Sequence, residues 1–189
     1  MSEKLKDSNP KYALLVIDII NPFDFEHGAV LAGHTAKIVQ PLSRLKQQCK
    51  EKDIPVIYIN DHYNLWQANL ETIYQKCLND QNETILSHLK PGPDDYFLIK
   101  PKHSAFYGTA LNTLLYHLGV KSLILTGIAG NICVLFSAND AYMREYTLFV
   151  PSDCLASVAE EDNQYALRMM ENVLQANVQE SKIIIEQYL

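Results

Sequence analysis

Short, wholly apolar runs recur along the chain and alternate with helical patterns. The first run, YALLVI, shows no polar alternation, which is typical of a strand buried on both faces of a sheet. Six runs predict strands, at residues 12–17, 54–59, 96–99, 122–125, 147–150 and 182–185. Between most of them, apolar residues recur every three or four positions, which predicts amphipathic helices. We expect these helices at about residues 38–49, 111–118, 131–144 and 159–175.

The alternation of strand and helix predicts the architecture. Parallel strands need crossover connections, and crossovers are usually helices. We therefore expect a three-layer α/β/α, Rossmann-like fold with a six-stranded, mostly parallel sheet. A chain of 189 residues suits one domain, so residues 1–189 are predicted to form a single domain with its core at about 12–185. The longest irregular stretch, 60–93, is expected to be partly helical, and long excursions of this kind are often functional.

Composition and charge narrow the classes of partner. Hydrophobic residues make up 48% of the chain and charged residues 20%, as in ordinary folded proteins. The net charge of −6 disfavours nucleic acid and anionic membrane as partners. The polar start MSEKLKDSNP lacks the apolar core of a signal peptide, and no apolar run is long enough to span a bilayer. We expect a cytoplasmic protein with reduced thiols.

Chemistry-bearing residues follow several of the predicted strands. Ligands of open α/β sheets bind outside the carboxyl ends of the strands. Asp18 follows the first strand, Asn60 and Asp61 the second, and Lys100 the third, while the fourth leads through Gly127 towards Cys133. Singly, such residues are more often turn caps, surface amines or buried thiols. Their convergence on one edge is what favours a site.

The four cysteines are not equivalent in context. Cys133 lies in LILTGIAGNICVLFSANDAY, an apolar strand followed by a small-residue turn and a helical pattern. A helix N-terminus favours thiolate, so we expect a lowered pKa for Cys133, and its N–H groups can hold an oxyanion. The other three are interpreted as structural or incidental: Cys49, Cys77 and Cys154.

The thiol also needs a proton acceptor. Of the six histidines only His62 lies at a strand end, with His103 beside Lys100, so histidine is not the first choice of base. Asp18 is the better candidate, because a carboxylate at the end of a buried strand has a raised pKa and can carry a proton. Lys100 is expected to hold thiolate and carboxylate in place by charge.

Three motifs in this order resemble the isochorismatase-like cysteine hydrolases, which include nicotinamidases and N-carbamoylsarcosine amidohydrolases. The motifs are LLVIDIINPF around Asp18, IKPKHSAFYGTAL after Lys100 and TGIAGNICVLFSANDAY around Cys133. The resemblance covers about residues 12–185 and implies a catalytic triad of Asp18, Lys100 and Cys133. Lys102 is the competing lysine, but the spacing to Ser104 favours Lys100. The family's non-proline cis peptide falls between Ile128 and Ala129.

The resemblance implies a mechanism through a thioester. Asp18 accepts the proton of Cys133, the sulfur attacks a carbonyl, and the N–H groups of Cys133 and Ala129 stabilise the oxyanion. Water activated by the same carboxylate then cleaves the thioester. The expected substrate is a small amide, carbamoyl or ureido compound, with no cofactor. Family members are commonly dimers or tetramers, which implies a homo-oligomer.

Departures from the family pattern bear on metal and substrate. Nicotinamidases bind a metal through a D-x-H pair and a later His, whereas this chain has Asp61, His62 and Tyr63 with no suitable second His, so no metal is expected. Gly130 stands where many members have Thr. Two alternatives remain open: a vinyl-ether hydrolase that uses Asp18 without the thiol, and a catalytically idle binding protein. Retention of Cys133 favours acyl chemistry.

Side chains from the strand-end loops are expected to line the substrate pocket. Aromatic side chains supply walls, and the polar ones supply hydrogen bonds. The candidates are Phe23, Asp61, Asn64, Trp66, Phe106 and Phe136.

Overall fold

The computed structural model describes residues 12–189, and a parallel sheet lies at its centre. Its strands are β1 (Tyr12–Ile17), β2 (Val56–Asp61), β3 (Tyr96–Lys100), β4 (Ser122–Ile128), β5 (Thr147–Phe149) and β6 (Leu155–Ala156). The order is β3-β2-β1-β4-β5, with β6 also paired to β4. All of these pairings are parallel, which confirms the predicted fold class.

Helices cover both faces of this sheet. They are α1 (Gly28–Glu51), α2 (Leu70–Cys77), α3 (Glu83–Leu89), α4 (Leu111–His117), α5 (Leu135–Tyr142), α6 (Glu160–Asn172) and α7 (Ser181–Tyr188). A π-helical turn, Gly130–Val134, precedes α5, and a short 3-10 turn, Ser152–Cys154, precedes β6. The first helix begins ten residues earlier than its apolar stripe predicts and continues through Pro41. The excursion at 60–93 contains α2 and α3.

The alternation of side chains along β1 divides the core into two layers. Leu14 and Val16 pack into one cluster with residues of α1, α2, α3 and α7. Ala13, Leu15 and Ile17 pack into the other, with residues of α4, α5 and α6. Because both faces of the strand are covered, its sequence is continuously apolar.

One predicted strand is wrong. Residues 182–185 lie in α7, and the sixth strand is instead the two-residue β6. The backbone N–H and hydroxyl of Ser181 both donate to the Asp153 carboxylate, each at 2.7 Å, which caps the start of this helix. Ile184 is buried and Ile185 half-buried, whereas Lys182 and Glu186 point to solvent, as on an amphipathic helix.

Ser157 and Glu160 have the sequence spacing of a capping box, but no such box forms before α6. Ala159 is the N-cap residue, and the Ser157 hydroxyl donates instead to the Asn163 side chain. The same hydroxyl accepts from the N–H of Asn131 in the turn after β4, so Ser157 supports the strand-end region rather than the helix start. Among residues 12–189, none of the helices has both the length and the apolar character needed to cross a bilayer.

Candidate active site

Three strand ends bring a carboxylate, an amine and a thiol into contact. Asp18 directly follows β1, Lys100 is the last residue of β3, and Cys133 lies in the π-helical turn after β4. Lys100 Nζ is 2.7 Å from Asp18 Oδ2 and 3.5 Å from Cys133 Sγ. Asp18 and Lys100 are 5% and 1% exposed, whereas Cys133 is half-buried. The ammonium therefore bridges the other two groups at the inner side of the thiol.

The backbone around Asp18 holds its carboxylate in this position. Asp18 has a φ of 51°, which is uncommon for a residue other than glycine and is found where surrounding contacts enforce it. Its N–H donates to the carbonyl of Ile59 on β2 at 3.0 Å. Its Oδ1 accepts from the N–H of Asp61 at 2.8 Å, so both carboxylate oxygens have donors. The neighbouring strand β2 thus fixes the rotamer of Asp18.

Burial and neighbouring charges together determine the pKa values of the carboxylate and its amine partner. It raises the pKa of Asp18, against the opposing effects of Lys100, Cys133 and the Asp61 N–H. Burial alone would lower the pKa of Lys100, but the Asp18 carboxylate and the Cys133 sulfur hold it above its ordinary value. The predicted rise for Asp18 is confirmed.

The predicted lowering for the thiol is wrong. Burial, followed by the charge of Asp18, raises the pKa of Cys133 to about 12, although Lys100 opposes both. The start of the helix does not offset the loss of water and the adjacent carboxylate. Cys133 is accordingly a neutral thiol at neutral pH.

The turn that carries Cys133 is tightly built. The peptide bond between Ile128 and Ala129 is cis, at the position that the family resemblance implies. The Ala129 carbonyl accepts from the N–H groups of Ile132 and Val134. A Cβ on Gly130 would lie 2.3 Å from Asn163 Oδ1, so a side chain at this position would require Asn163 to move.

His103, to which the sequence assigned no role, also contacts the thiol. Its Nδ1 lies 4.0 Å from Cys133 Sγ, and its ring packs on that of Phe136 at 5.8 Å. The residue is exposed, so the imidazole faces the thiol from the solvent side. Its only signal in the sequence is its place three residues after Lys100.

Hydrogen bonds join the segment after β3 to α5. Ala105 N donates to Ser137 Oγ at 2.8 Å, and that hydroxyl donates to the Cys133 carbonyl at 2.6 Å. The Ser104 hydroxyl donates to the Asp140 carboxylate, which also pairs with Arg144 at 3.0 Å. We call these four residues, Ser104, Ala105, Ser137 and Asp140, the β3–α5 clamp.

The competing lysine has a different environment. The side chain of Lys102 is exposed, and its carbonyl oxygen accepts from Lys100 Nζ at 3.1 Å. Lys102 therefore contributes backbone to the site, whereas Lys100 contributes the buried amine.

The predicted substrate-contacting residues lie beside the triad, in the hydrophobic core or in the turn after β2. Phe136, 53% exposed, lies beside His103, and Asp61 contacts Asp18 through its N–H. Phe23 is buried in the cluster below α1. Phe106 is buried in the other cluster, where its ring faces Arg144 and Tyr146. The rings of Phe23 and Phe106 therefore belong to the hydrophobic core.

The other two predicted contacts lie in the turn after β2. Trp66 is 78% exposed and its ring lies 4.5 Å from that of His62. Asn64 has a φ of 61° and donates its N–H to His62 Nδ1 at 3.0 Å.

The side chains in this turn do not fit a metal site of the nicotinamidase kind. Asp61 Oδ1 accepts from the N–H of Tyr63 at 2.8 Å, and His62 Nδ1 accepts from Asn64, so both stabilise the turn. Across residues 12–189, no three His, Cys, Asp or Glu side chains converge as a ligand set.

The fold is a three-layer α/β/α arrangement with a carboxylate, an amine and a thiol at its strand ends, and comparison with known proteins defines the family. The Isochorismatase domain model matches residues 12–182, so the chain belongs to the isochorismatase family. This confirms the resemblance inferred from the three motifs.

Individual relatives extend over most of the chain. A Bacillus subtilis protein described as an uncharacterized isochorismatase family protein, YaaI, is 56% identical over 92% of this chain and 96% of that protein. The ureidoacrylate amidohydrolase RutB of Methylorubrum extorquens is 42% identical, over 74% of this chain and 67% of that protein. The crystal structure of N-carbamoylsarcosine amidase from Thermoplasma acidophilum has a TM-score of 0.69 and 28% identity, over 91% of this chain and 97% of that one.

Proposed function

We propose that this chain is a cysteine-dependent hydrolase of a small amide, carbamoyl or ureido compound. The observation that carries the proposal is the contact of the three groups, with Lys100 Nζ between Asp18 Oδ2 and Cys133 Sγ. Relatives named as an amidohydrolase and an amidase support the same class of substrate.

The proposed reaction begins with a neutral thiol. The buried carboxylate of Asp18 takes the proton of Cys133 as the sulfur attacks the substrate carbonyl. Lys100 keeps the carboxylate in place and stabilises the negative charge while it lies on the sulfur. The N–H groups of Cys133 and Ala129 are the proposed oxyanion donors. Asp18 then gives the proton to the leaving ammonia or amine, and water cleaves the thioester.

A variant of the nucleophile tests the proposal. The purified protein is screened for ammonia release across a panel of small amides and ureides, and the best substrate is then given to Cys133→Ala. Loss of the nucleophile from such a triad is expected to lower kcat by at least about a thousandfold. Cys49→Ala, which removes a thiol from α1, is the matched control and keeps its activity.

The outcome separates this mechanism from the two alternatives. Turnover by Cys133→Ala at the native rate would contradict it. Hydrolysis of a vinyl ether that survives alkylation of Cys133 would indicate the isochorismatase-type reaction, which needs the carboxylate and not the thiol. Absence of any hydrolysis would indicate a binding protein.

We also propose that the chain forms a homo-oligomer, a dimer or tetramer, and acts in the cytoplasm. The support for the oligomer is family membership alone. Light scattering on the eluting protein measures the mass directly, and a mass of one chain at micromolar concentration would contradict the proposal.

A further inference from the structure

The thiol of Cys133 has different neighbours on its two sides. The inner side is closed by Asp18 and Lys100, which are almost fully buried. The solvent side holds the imidazole of His103, 4.0 Å from the sulfur, with Phe136 beneath its ring. The imidazole of His103 therefore lies within reach of an acyl group carried by the sulfur.

Contacts on both sides of His103 in the chain hold it at this place. The preceding carbonyl, that of Lys102, accepts from Lys100 Nζ at 3.1 Å. On the other side, the β3–α5 clamp ties Ala105 N through Ser137 Oγ to the carbonyl of Cys133 itself. Each link ends on a residue of the proposed triad, so the backbone on both sides of His103 is tied to the site and is not part of a free loop. A catalytic group needs support of this kind from the residues around it.

We propose that His103 is a further catalytic residue, the base that activates water for hydrolysis of the thioester. The proposal rests on the proposed function and changes one step of it. Asp18 carries the proton of the acylation step, and its carboxylate is only 5% exposed, whereas the side chain of His103 is exposed. A neutral imidazole has one nitrogen free to accept a proton from water.

The step balances with water as the only co-reactant. The water oxygen bonds to the acyl carbon while one of its protons passes to the imidazole of His103. The carbon–sulfur bond then breaks, the imidazolium returns that proton to the sulfur, and the carboxylic or carbamic acid leaves. Thiol and neutral imidazole are both regenerated.

His103→Gln tests this step, because glutamine keeps a polar side chain but cannot take the proton. Rapid-quench measurement should show a burst of one ammonia per active site, followed by a steady state slowed roughly a hundredfold, the usual contribution of a general base. Intact-protein mass spectrometry should then show an acyl adduct on Cys133 that does not accumulate in the native protein. Hydroxylamine, which attacks a thioester without a base, should restore turnover and yield the hydroxamate.

His117→Gln, the same change at an exposed position of α4, is the matched control and should behave as the native protein. A His103→Gln variant with native steady-state turnover and no adduct would overturn the role of His103 and leave the proposed function standing, provided that Cys133→Ala is inactive. Loss of the burst together with turnover, in a folded variant, would place His103 before acylation and also overturn the role. An active Cys133→Ala would overturn both proposals.

Discussion

The protonation state of one sulfur decides how the proposed nucleophile works. Burial and the charge of Asp18 raise the pKa of Cys133 to about 12, so the thiol is protonated at rest at neutral pH. A resting thiolate held in an ion pair, as in enzymes whose cysteine has a depressed pKa, is therefore not how Cys133 is proposed to be activated. The raised pKa of Asp18 makes its carboxylate a stronger base, so proton transfer during attack is the consistent alternative.

Alkylation of Cys133 should depend steeply on pH. Because the thiolate is the reacting species, the rate with iodoacetamide is expected to rise about tenfold per pH unit between pH 7 and 10, without a plateau. Asp18→Asn removes a charge that raises the thiol pKa, so this variant should be alkylated faster at each pH although it loses hydrolytic activity. Peptide mass spectrometry at timed intervals measures both rates.

Internal controls for this experiment are present in the same chain. Cys49, Cys77 and Cys154 are fully buried, and burial raises the pKa of each of them. They should remain unlabelled while Cys133 reacts. A plateau near neutral pH, or slower alkylation of Asp18→Asn, would show that the thiol pKa is low and that the carboxylate does not raise it.

At the scale of elements, the site is more predictable than some of the elements around it. Asp18, Lys100 and Cys133 could be brought together from the sequence because parallel strands place their carboxyl ends on one edge. The β3–α5 clamp could not, since it depends on how one loop packs against α5. The same limit applies to Phe23 and Phe106, because an aromatic residue in a loop has no periodicity that separates core from pocket.

The short helix α7 shows the same limit in secondary structure. Its run KIII is four residues long, and a run of that length fits a buried strand or one face of a helix equally well. The deciding contact comes from Asp153, 28 positions earlier, whose carboxylate binds the first residue of α7. A contact so distant in sequence leaves no local pattern to read.

At the scale of the whole molecule, the carboxyl end of the sheet carries the candidate active site, whereas the amino end of β3 carries a buried ion-pair cluster. Strand β3 carries Lys100 at its carboxyl end and follows Asp95 at its amino end, about 17 Å away at the usual rise per residue. The side chain of Asp95 is 1% exposed and lies 2.8 Å from the amines of both Lys46 and Lys50 on α1. It also accepts from Gly92 N at 2.7 Å. This cluster joins the end of α1 to the edge of the sheet, far from the thiol.

The charge of the Asp95 carboxylate makes the free energy of unfolding depend on pH. Burial would raise the pKa of Asp95, but the two lysines and the Gly92 N–H hold it below its ordinary value. A carboxylate with a lowered pKa in the folded state stabilises the fold above its unfolded pKa of about 3.9. That contribution is lost as the pH falls through the lower, folded pKa.

Asp95→Asn should therefore separate stability from catalysis. At pH 7 the variant leaves Lys46 without its charged partner and is expected to lower the free energy of unfolding by about 2 kcal/mol. The difference should shrink as the pH falls below about 4, where Asp95 of the unfolded chain is protonated, and should vanish below the lower, folded pKa, where native Asp95 is neutral as well. Urea unfolding across this pH range measures the difference in the free energy of unfolding, with Asp94→Asn at the exposed neighbour as control.

Since the cluster lies at the opposite end of the strand from Lys100, kcat of both variants should be native under folding conditions. An equal loss of stability at pH 7 and pH 3, or a reduced kcat in the folded variant, would contradict this division of the sheet into a stabilising and a catalytic end.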